Sequence, residues 1–249
     1  MLVLLPPSET KRPGGEGAPV DVDGLALPAL RPQREAVIDA LVALSADEDE
    51  AARVLKLGAK RRHEIADNAA LRTAATMPAV DRYTGVLFDA LDAETLDQAA
   101  RSWLGGHVGI HSAPFGPVGA LDLIPAYRLA AGISLPGVPP LRRVWAAAVT
   151  EALRASAPTF VLDLRSEAYV ALGPVPVELP TAYVRVVTAG ESGAVRALNH
   201  FNKHAKGDLV RSLARTRPRI GGIDDLFDWA GANGRTLRPG VPGEIHLVV

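Results

Sequence analysis

Lys203 and Lys206 stand three residues apart in Asn202-Lys203-His204-Ala205-Lys206-Gly207, so on a helix they share one face. Two ammonium groups placed this way would hold phosphates, or each would lower the other's pKa and make one amine a usable base. They sit in a basic stripe: from Arg196 to Arg219 the chain carries seven Lys or Arg against one acid, Asp208, with His200 and His204 among them. A solvated helix face would show the same pattern. Lysine is scarce elsewhere. Only five of the 27 basic residues are lysines, and the other three are Lys11, Lys56 and Lys60.

A second group consists of polar side chains at expected strand ends and loops: Ser8, Glu9, Lys11, Tyr83, Ser112, Asp122, Tyr127, Arg128, Ser166 and Tyr169. With Lys203 and Lys206 they suit a cleft for an anion. Lys203 or Lys206 would be the clamp or the pKa-depressed base, Arg128 a second clamp, and Glu9 or Asp122 the proton-transfer partner. That set fits an enzyme acting on a nucleotide, a nucleobase or another anionic small molecule. The competing reading is a buried polar network that only ties loops together.

The third group is Lys56, Lys60, Arg61 and Arg62, around the link Leu57-Gly58-Ala59 between two expected helices. This is the outline of a helix-hairpin-helix element. The glycine would allow close backbone approach, the next helix would offer its amide end, and the cations would supply charge, so the element would grip the phosphate backbone of DNA without reading bases. An ordinary helical hairpin with a solvated basic corner has the same sequence features.

Other chemistries find no support. Zero cysteines exclude disulfides, thiolate metal sites and cysteine nucleophiles. His107 and His111 would share one strand face but lie roughly 13 Å apart at strand rise, too far for one ion. Direct iron sequestration would need ligands gathered from distant loops. Gly105, Gly106 and Gly109 miss the spacing of a Walker loop or a dinucleotide fingerprint, and no serine sits in a nucleophile elbow. Neither a metal nor a cofactor is expected.

The elements that must position these groups follow from periodicity. Leu2 to Leu5 reads as a strand buried on both faces, ended by Pro6 and Pro7 and delivering the loop Ser8 to Gly17 at its carboxyl end, the edge that ligand sites in α/β sheets favour. Pro13 to Pro28 reads as an irregular excursion. Pro32 to Leu44 predicts an amphipathic helix, Ser45 with Glu48 a capping box for the next, which stops near Gly58, and a third follows at once through Ile65 to Leu71. Helices are expected over Tyr83 to Leu91, Leu96 to Leu104, Pro139 to Ala155 and Lys203 to Arg215; strands over Val108 to Ser112, Phe160 to Leu164 and Ile245 to Val249. Tyr183 to Thr188 and Ala194 to His200 would flank a hairpin at Gly190-Glu-Ser-Gly193.

At 249 residues the chain is long enough for a substantial core, and one α/β domain over 1–249 is expected, with a mixed central sheet surrounded by helices and a helical hairpin element at 32–72. The first residues carry no basic leader, and no later apolar run approaches a membrane span, so a soluble cytoplasmic protein without membrane contact is expected. The net charge of −1 means that nucleic-acid contact would depend on local patches.

Five segments together resemble the YaaA family, the peroxide stress response proteins of bacteria. They are Pro6-Pro-Ser-Glu-Thr-Lys11; Arg82-Tyr-Thr-Gly85 with Phe88-Asp-Ala-Leu91; Ser112 with Phe115-Gly116; Leu121-Asp-Leu-Ile with Tyr127-Arg-Leu129; and Leu164, Ser166 and Tyr169 followed by Lys203 to Gly207. Each is weak alone, but their order and spacing are specific. The resemblance implies a single α/β domain with a helix-hairpin-helix element and a positively charged cleft, a cytosolic location, and a role in limiting oxidative damage by intracellular iron. It also implies double-stranded or distorted DNA as a partner, with the hairpin carried over to Lys56 through Arg62. One branch of the family reads Ser-Pro-Ala-Lys-Thr where this chain reads Pro-Ser-Glu-Thr-Lys, so the cation has moved. The usual Arg-Pro before the Leu-Asp pair is Gly119-Ala120 here, and Ala126 replaces the proline before Tyr-Arg-Leu.

Overall fold

Leu2–Leu5 forms the first strand (β1), and its buried residues Val3, Leu4 and Leu5 make it the centre of the core. The computed structural model describes residues 1–188 and 198–249, without the side chains of 198–200. Downstream of β1 come α1 (Arg31–Leu44), α2 (Glu48–Val54), α3 (Glu64–Ala69), β2 (Met77–Pro78), α4 (Ala79–Arg82), α5 (Val86–Leu91) and α6 (Gln98–His107). Next are β3 (Val108–Ser112), β4 (Gly116–Gly119), β5 (Leu123–Ile124), α7 (Leu141–Ser156), β6 (Val161–Asp163) and α8 (Glu167–Val170). The chain closes with β7 (Thr181–Val187), α9 (Leu198–Thr216), α10 (Ile223–Ala232), β8 (Thr236–Pro239) and β9 (Glu244–Val248).

Among the described residues seven of these strands make one sheet in the order β4-β3-β1-β6-β7-β9-β8, with helices around it, and β2 and β5 form a separate antiparallel pair. β1 pairs parallel with β3 on one side and β6 on the other, and β6, β7 and β9 continue in parallel. Within this sheet only the edge strands β4 and β8 are antiparallel. The chain therefore leaves β1, returns on one flank as β3 and later crosses to the other flank as β6. That reversal opens a crevice outside the carboxyl end of β1, where α/β sheets place ligands.

The helix beginning at Pro32 on sequence grounds is α1, whose Val37, Ile38, Leu41 and Leu44 are buried at helical spacing. Its Arg34 is buried as well, a placement its charge conceals: Nε and Nη2 donate to the carbonyls of Phe115, Ala26 and Pro117, pinning the irregular excursion to the hairpin of β3 and β4. The tight turn into that hairpin needs Gly116, at φ 65°, because the Trp145 ring of α7 would lie 2.8 Å from any Cβ there.

Several expectations require correction. The cap of α2 is Asp47, whose carboxylate accepts the Glu50 amide at 3.0 Å; the Ser45 hydroxyl instead donates back to the Leu41 carbonyl. The link between α2 and α3 is longer than a Leu57-Gly58-Ala59 turn, because residues 55–63 intervene and include a single 3-10 turn at Ala59–Arg61. The left-handed position in that link is Lys56, at φ 54°, while Gly58 is extended. His107 ends α6 and does not lie on the strand that holds His111. Residues Leu198 to His200 open α9 and are not strand; the rest of the expected hairpin at Gly190 to Gly193, and Arg196, lie outside the described residues.

Candidate functional site

Three strand ends meet at the crevice. β1 delivers the loop Pro6 to Lys11, β3 delivers Ser112, and β6 delivers Leu164 through Ser166 into α8. The start of α5 and the first turns of α9 close the sides. The result is a cavity of about 500 Å³ lined by Ser8, Glu9, Thr10, Thr84 to Phe88, Ser166, Tyr169 and Lys203, with Pro6 and Pro7 at its back. This size suits a small-molecule ligand.

Beneath the loop lies Lys11. Its Nζ donates to the carbonyls of Ser8 at 3.0 Å and Glu9 at 3.2 Å and rests 4.0 Å from the centre of the Tyr127 ring. Burial, reinforced by the neighbouring Arg128 guanidinium, lowers its pKa to about 7. Tyr83 and Tyr127 join hydroxyls at 2.8 Å, and burial raises the pKa of both, so they stay protonated as hydrogen-bond donors. Burial does the same to Tyr169 in the cavity wall. The Ser112 hydroxyl accepts the Phe115 amide at 3.2 Å.

Arg128 is the cleft's second cation. Both of its terminal nitrogens donate to Glu9 Oε2 at 3.2 Å, and its Nε faces Glu64 at 3.4 Å. Arg61 joins the same cluster, donating to Glu9 at 3.3 Å and to Glu64 at 2.8 Å. Partial burial raises the Glu9 pKa, but Arg128 and Arg61 outweigh it and hold the carboxyl below its usual range.

The two lysines of α9 separate by depth. Lys203 is exposed and lines the cavity, whereas Lys206 is buried and donates to the Leu164 carbonyl at 3.0 Å. Burial lowers the Lys206 pKa to about 8, against the attraction of Asp163. Gly207 makes this approach possible, because α9 packs so closely on α5 there that a Cβ would collide with the Leu87 carbonyl.

Arg165 organises the β6 side. It pairs with Asp163 at 2.7 Å and donates to the Gly173 carbonyl and His111 Nδ1, both at 2.9 Å. Since the guanidinium can only donate, His111 is the neutral tautomer with its proton on Nε2, and burial followed by Arg165 pushes its pKa well down. Arg165 thereby fixes the segment that carries Ser166 and Tyr169 into the cavity.

Ser8, Glu9, Lys11, Tyr83, Ser112, Tyr127, Arg128, Ser166, Tyr169 and Lys203 are thus brought around one cleft. Asp122 is not. The antiparallel return of β4 carries it past Gly119, which pairs with Gly109 toward the amino end of β3, and its carboxylate accepts the amides of Ala26 and Gly119 at 2.7 and 2.8 Å. Its geometry is that of a turn support, away from proton transfer in the cleft. At the α2–α3 corner, Arg61 turns toward the cleft and Arg62 pairs with Glu48 and Asp49, leaving Lys56 and Lys60 exposed without ion-pair partners among the described residues. Arg61 and Glu64 have the i,i+3 spacing of a local pair, but their place in the cleft carries no local signal, because it depends on Glu9 and Arg128 far away in the chain.

The profile described as "Peroxide stress protein YaaA" matches residues 1–233. A UPF0246 protein of Corynebacterium efficiens is 46% identical over 239 residues, covering 93% of each chain. One from Streptomyces coelicolor is 45% identical over 232 residues, covering 92% of this chain and 88% of the relative. A third, from Corynebacterium glutamicum, is 42% identical over 238 residues, covering 94% and 93%. Matched over nearly its whole length, this chain belongs to the peroxide stress protein YaaA family.

Proposed function

We propose that this chain is a cytosolic peroxide stress protein that works through its cleft, as an enzyme acting on a nucleotide, a nucleobase or another anionic small molecule. The observation that carries this reading is the concave cavity of about 500 Å³ at the sheet's switch point, where the Ser8 to Lys11 loop, Ser166, Tyr169 and Lys203 converge. An open basic groove would have favoured a polymer. In this reading Lys203 and Arg128 clamp the anionic group and the Tyr169 and Phe88 rings flank an apolar or aromatic part. Lys11, with its pKa near 7, is the proton acceptor closest to the hydroxyl cluster. Restraint of iron-mediated damage, the role the resemblance implies, would follow from that chemistry. Thermal-shift measurements across nucleotides and nucleobases test the reading: stabilisation should vanish in a Lys203→Met, Arg128→Met double variant. Undiminished binding by that variant would sink it.

A second reading, duplex DNA gripped through its phosphates, is favoured by Lys56 and Lys60, which stand exposed on one corner with no ion-pair partner among the described residues. It predicts an affinity that falls steeply with salt and is lost on Lys56→Glu, Lys60→Glu substitution while cleft ligands still bind. Arg61 and Arg62 are less available for this, since acids already hold both.

A further inference from the structure

Two guanidinium groups, Arg61 and Arg128, converge on a single oxygen, Glu9 Oε2, at 3.3, 3.2 and 3.2 Å. Charge-assisted contacts of this type normally close to about 2.7–2.9 Å. Glu64 reaches that distance on Arg61, at 2.8 Å, so the arginines are not held off by their own geometry. The exposure of the partners is unequal: the Arg128 side chain is 11% exposed, the Glu9 side chain 65%. A nearly buried cation is therefore capped by a largely solvated carboxylate through long, shared contacts, and the second carboxylate oxygen of Glu9 makes no hydrogen bond among the described residues.

The backbone beneath Glu9 is fixed, because Lys11 Nζ grips the carbonyls of Ser8 and Glu9. The side chain is what can swing: Glu9 lines the cavity, whereas Arg61 and Arg128, which hold its carboxylate, do not. Rotation of one side chain into solvent would join the cavity to a two-arginine seat.

We infer that Glu9 is a built-in stand-in for the ligand, occupying a seat formed by Arg61 and Arg128 that takes the phosphate of a phosphate monoester when the cavity is filled. This rests on the proposed reading that the cavity holds a small anionic molecule. A phosphate offers three acceptor oxygens to two convergent forks, where the carboxylate offers one. Its dianion also brings negative charge beside Lys11, which favours the protonated amine, so binding takes up a proton near neutral pH. Arg61 thereby leaves the hairpin's expected set of polymer contacts and becomes part of the cleft.

Calorimetry with adenosine monophosphate, adenosine and inorganic phosphate tests this on the full chain, comparing the wild type with Glu9→Gln and Arg128→Met. Removing the competing charge should tighten the monophosphate about tenfold in Glu9→Gln, the scale of two partly exposed ion pairs. Adenosine should not respond, and Arg128→Met should lose the monophosphate. Glu9 is mostly solvated, so Glu9→Gln should keep the fold, and its gain in affinity is informative even if Arg128→Met fails to fold. If the monophosphate binds Glu9→Gln equally or more weakly than wild type, the stand-in is overturned while the cavity reading survives. If inorganic phosphate alone binds, and more tightly to Glu9→Gln, the seat is supported and the nucleotide reading falls. No binding of any probe to either protein overturns both.

Discussion

Gly207→Ala should disable the cleft from a helix that contributes few residues to its lining. At Gly207 α9 meets α5, and an added methyl would overlap the Leu87 carbonyl oxygen and lie 2.9 Å from Ala90 Cβ. Carbon atoms settle at about 3.5–4.0 Å, so the helices must part by about 1 Å. Overpacking of this kind costs about 1–3 kcal/mol. The same shift stretches the 3.0 Å bond from Lys206 to the Leu164 carbonyl beyond hydrogen-bonding range, and a lost bond from a charged donor costs about 1.5–3 kcal/mol. Replacing glycine by alanine within a helix returns about 1 kcal/mol. The net expectation is a loss of about 1.5–5 kcal/mol in urea unfolding followed by tryptophan fluorescence, together with weaker cleft binding as Lys203 is displaced. Gly231→Ala is the control. It makes the same change in α10 with nothing within 4 Å of the new atom, and it should stabilise by about 1 kcal/mol. A Gly207→Ala protein as stable as wild type would refute the packing argument and the claim that this glycine sets the lysine positions.

Lys206 has a folded pKa of about 8, below its ordinary 10.5, so the unfolded chain holds the extra proton between those values and stability should rise with pH across that window. The burial penalty is fully present below pH 8 and is relieved above it. Between pH 8 and 10 wild type should gain about 1.4 kcal/mol per pH unit relative to Lys206→Met, and parallel stability curves would contradict the buried charge. Arg165→Met removes the partner of Asp163 and the donor to His111 and Gly173 together, and should destabilise by about 3–5 kcal/mol in denaturant unfolding. Its effect should far exceed that of Arg154→Met, whose pairs with Glu151 and Glu178 lie at the solvated surface, where water and salt screen them.

Much of the scaffold was legible locally. The uninterrupted run Leu2 to Leu5 could only be a buried strand, the proline and apolar spacing after Pro32 could only be a helix start, and Val108 to Ser112 forms the expected strand residue for residue. Elements with weak local patterns escaped: β4 is Gly-Pro-Val-Gly, and β8 ends in a proline at the sheet edge. Buried arginines were equally hidden, because nothing in a window around Arg34 or Arg165 announces the carbonyls that satisfy it.

By itself the sequence determined which residue types were available and roughly where each would enter a strand end or helix, since hydrophobic period and turn chemistry act within a few residues. Only the tertiary structure decided how charges pair. Lys203 and Lys206 share a helix face in the sequence, yet one lines the cavity and the other is buried beneath a carbonyl, because Gly207 draws α9 against α5. Arg61 and Arg62 read as equal members of a basic corner, yet Arg61 belongs to the cleft through Glu9, 52 positions away. Coulomb interactions and hydrogen bonds depend on distances that chain folding sets between remote segments, and one-dimensional spacing does not encode them.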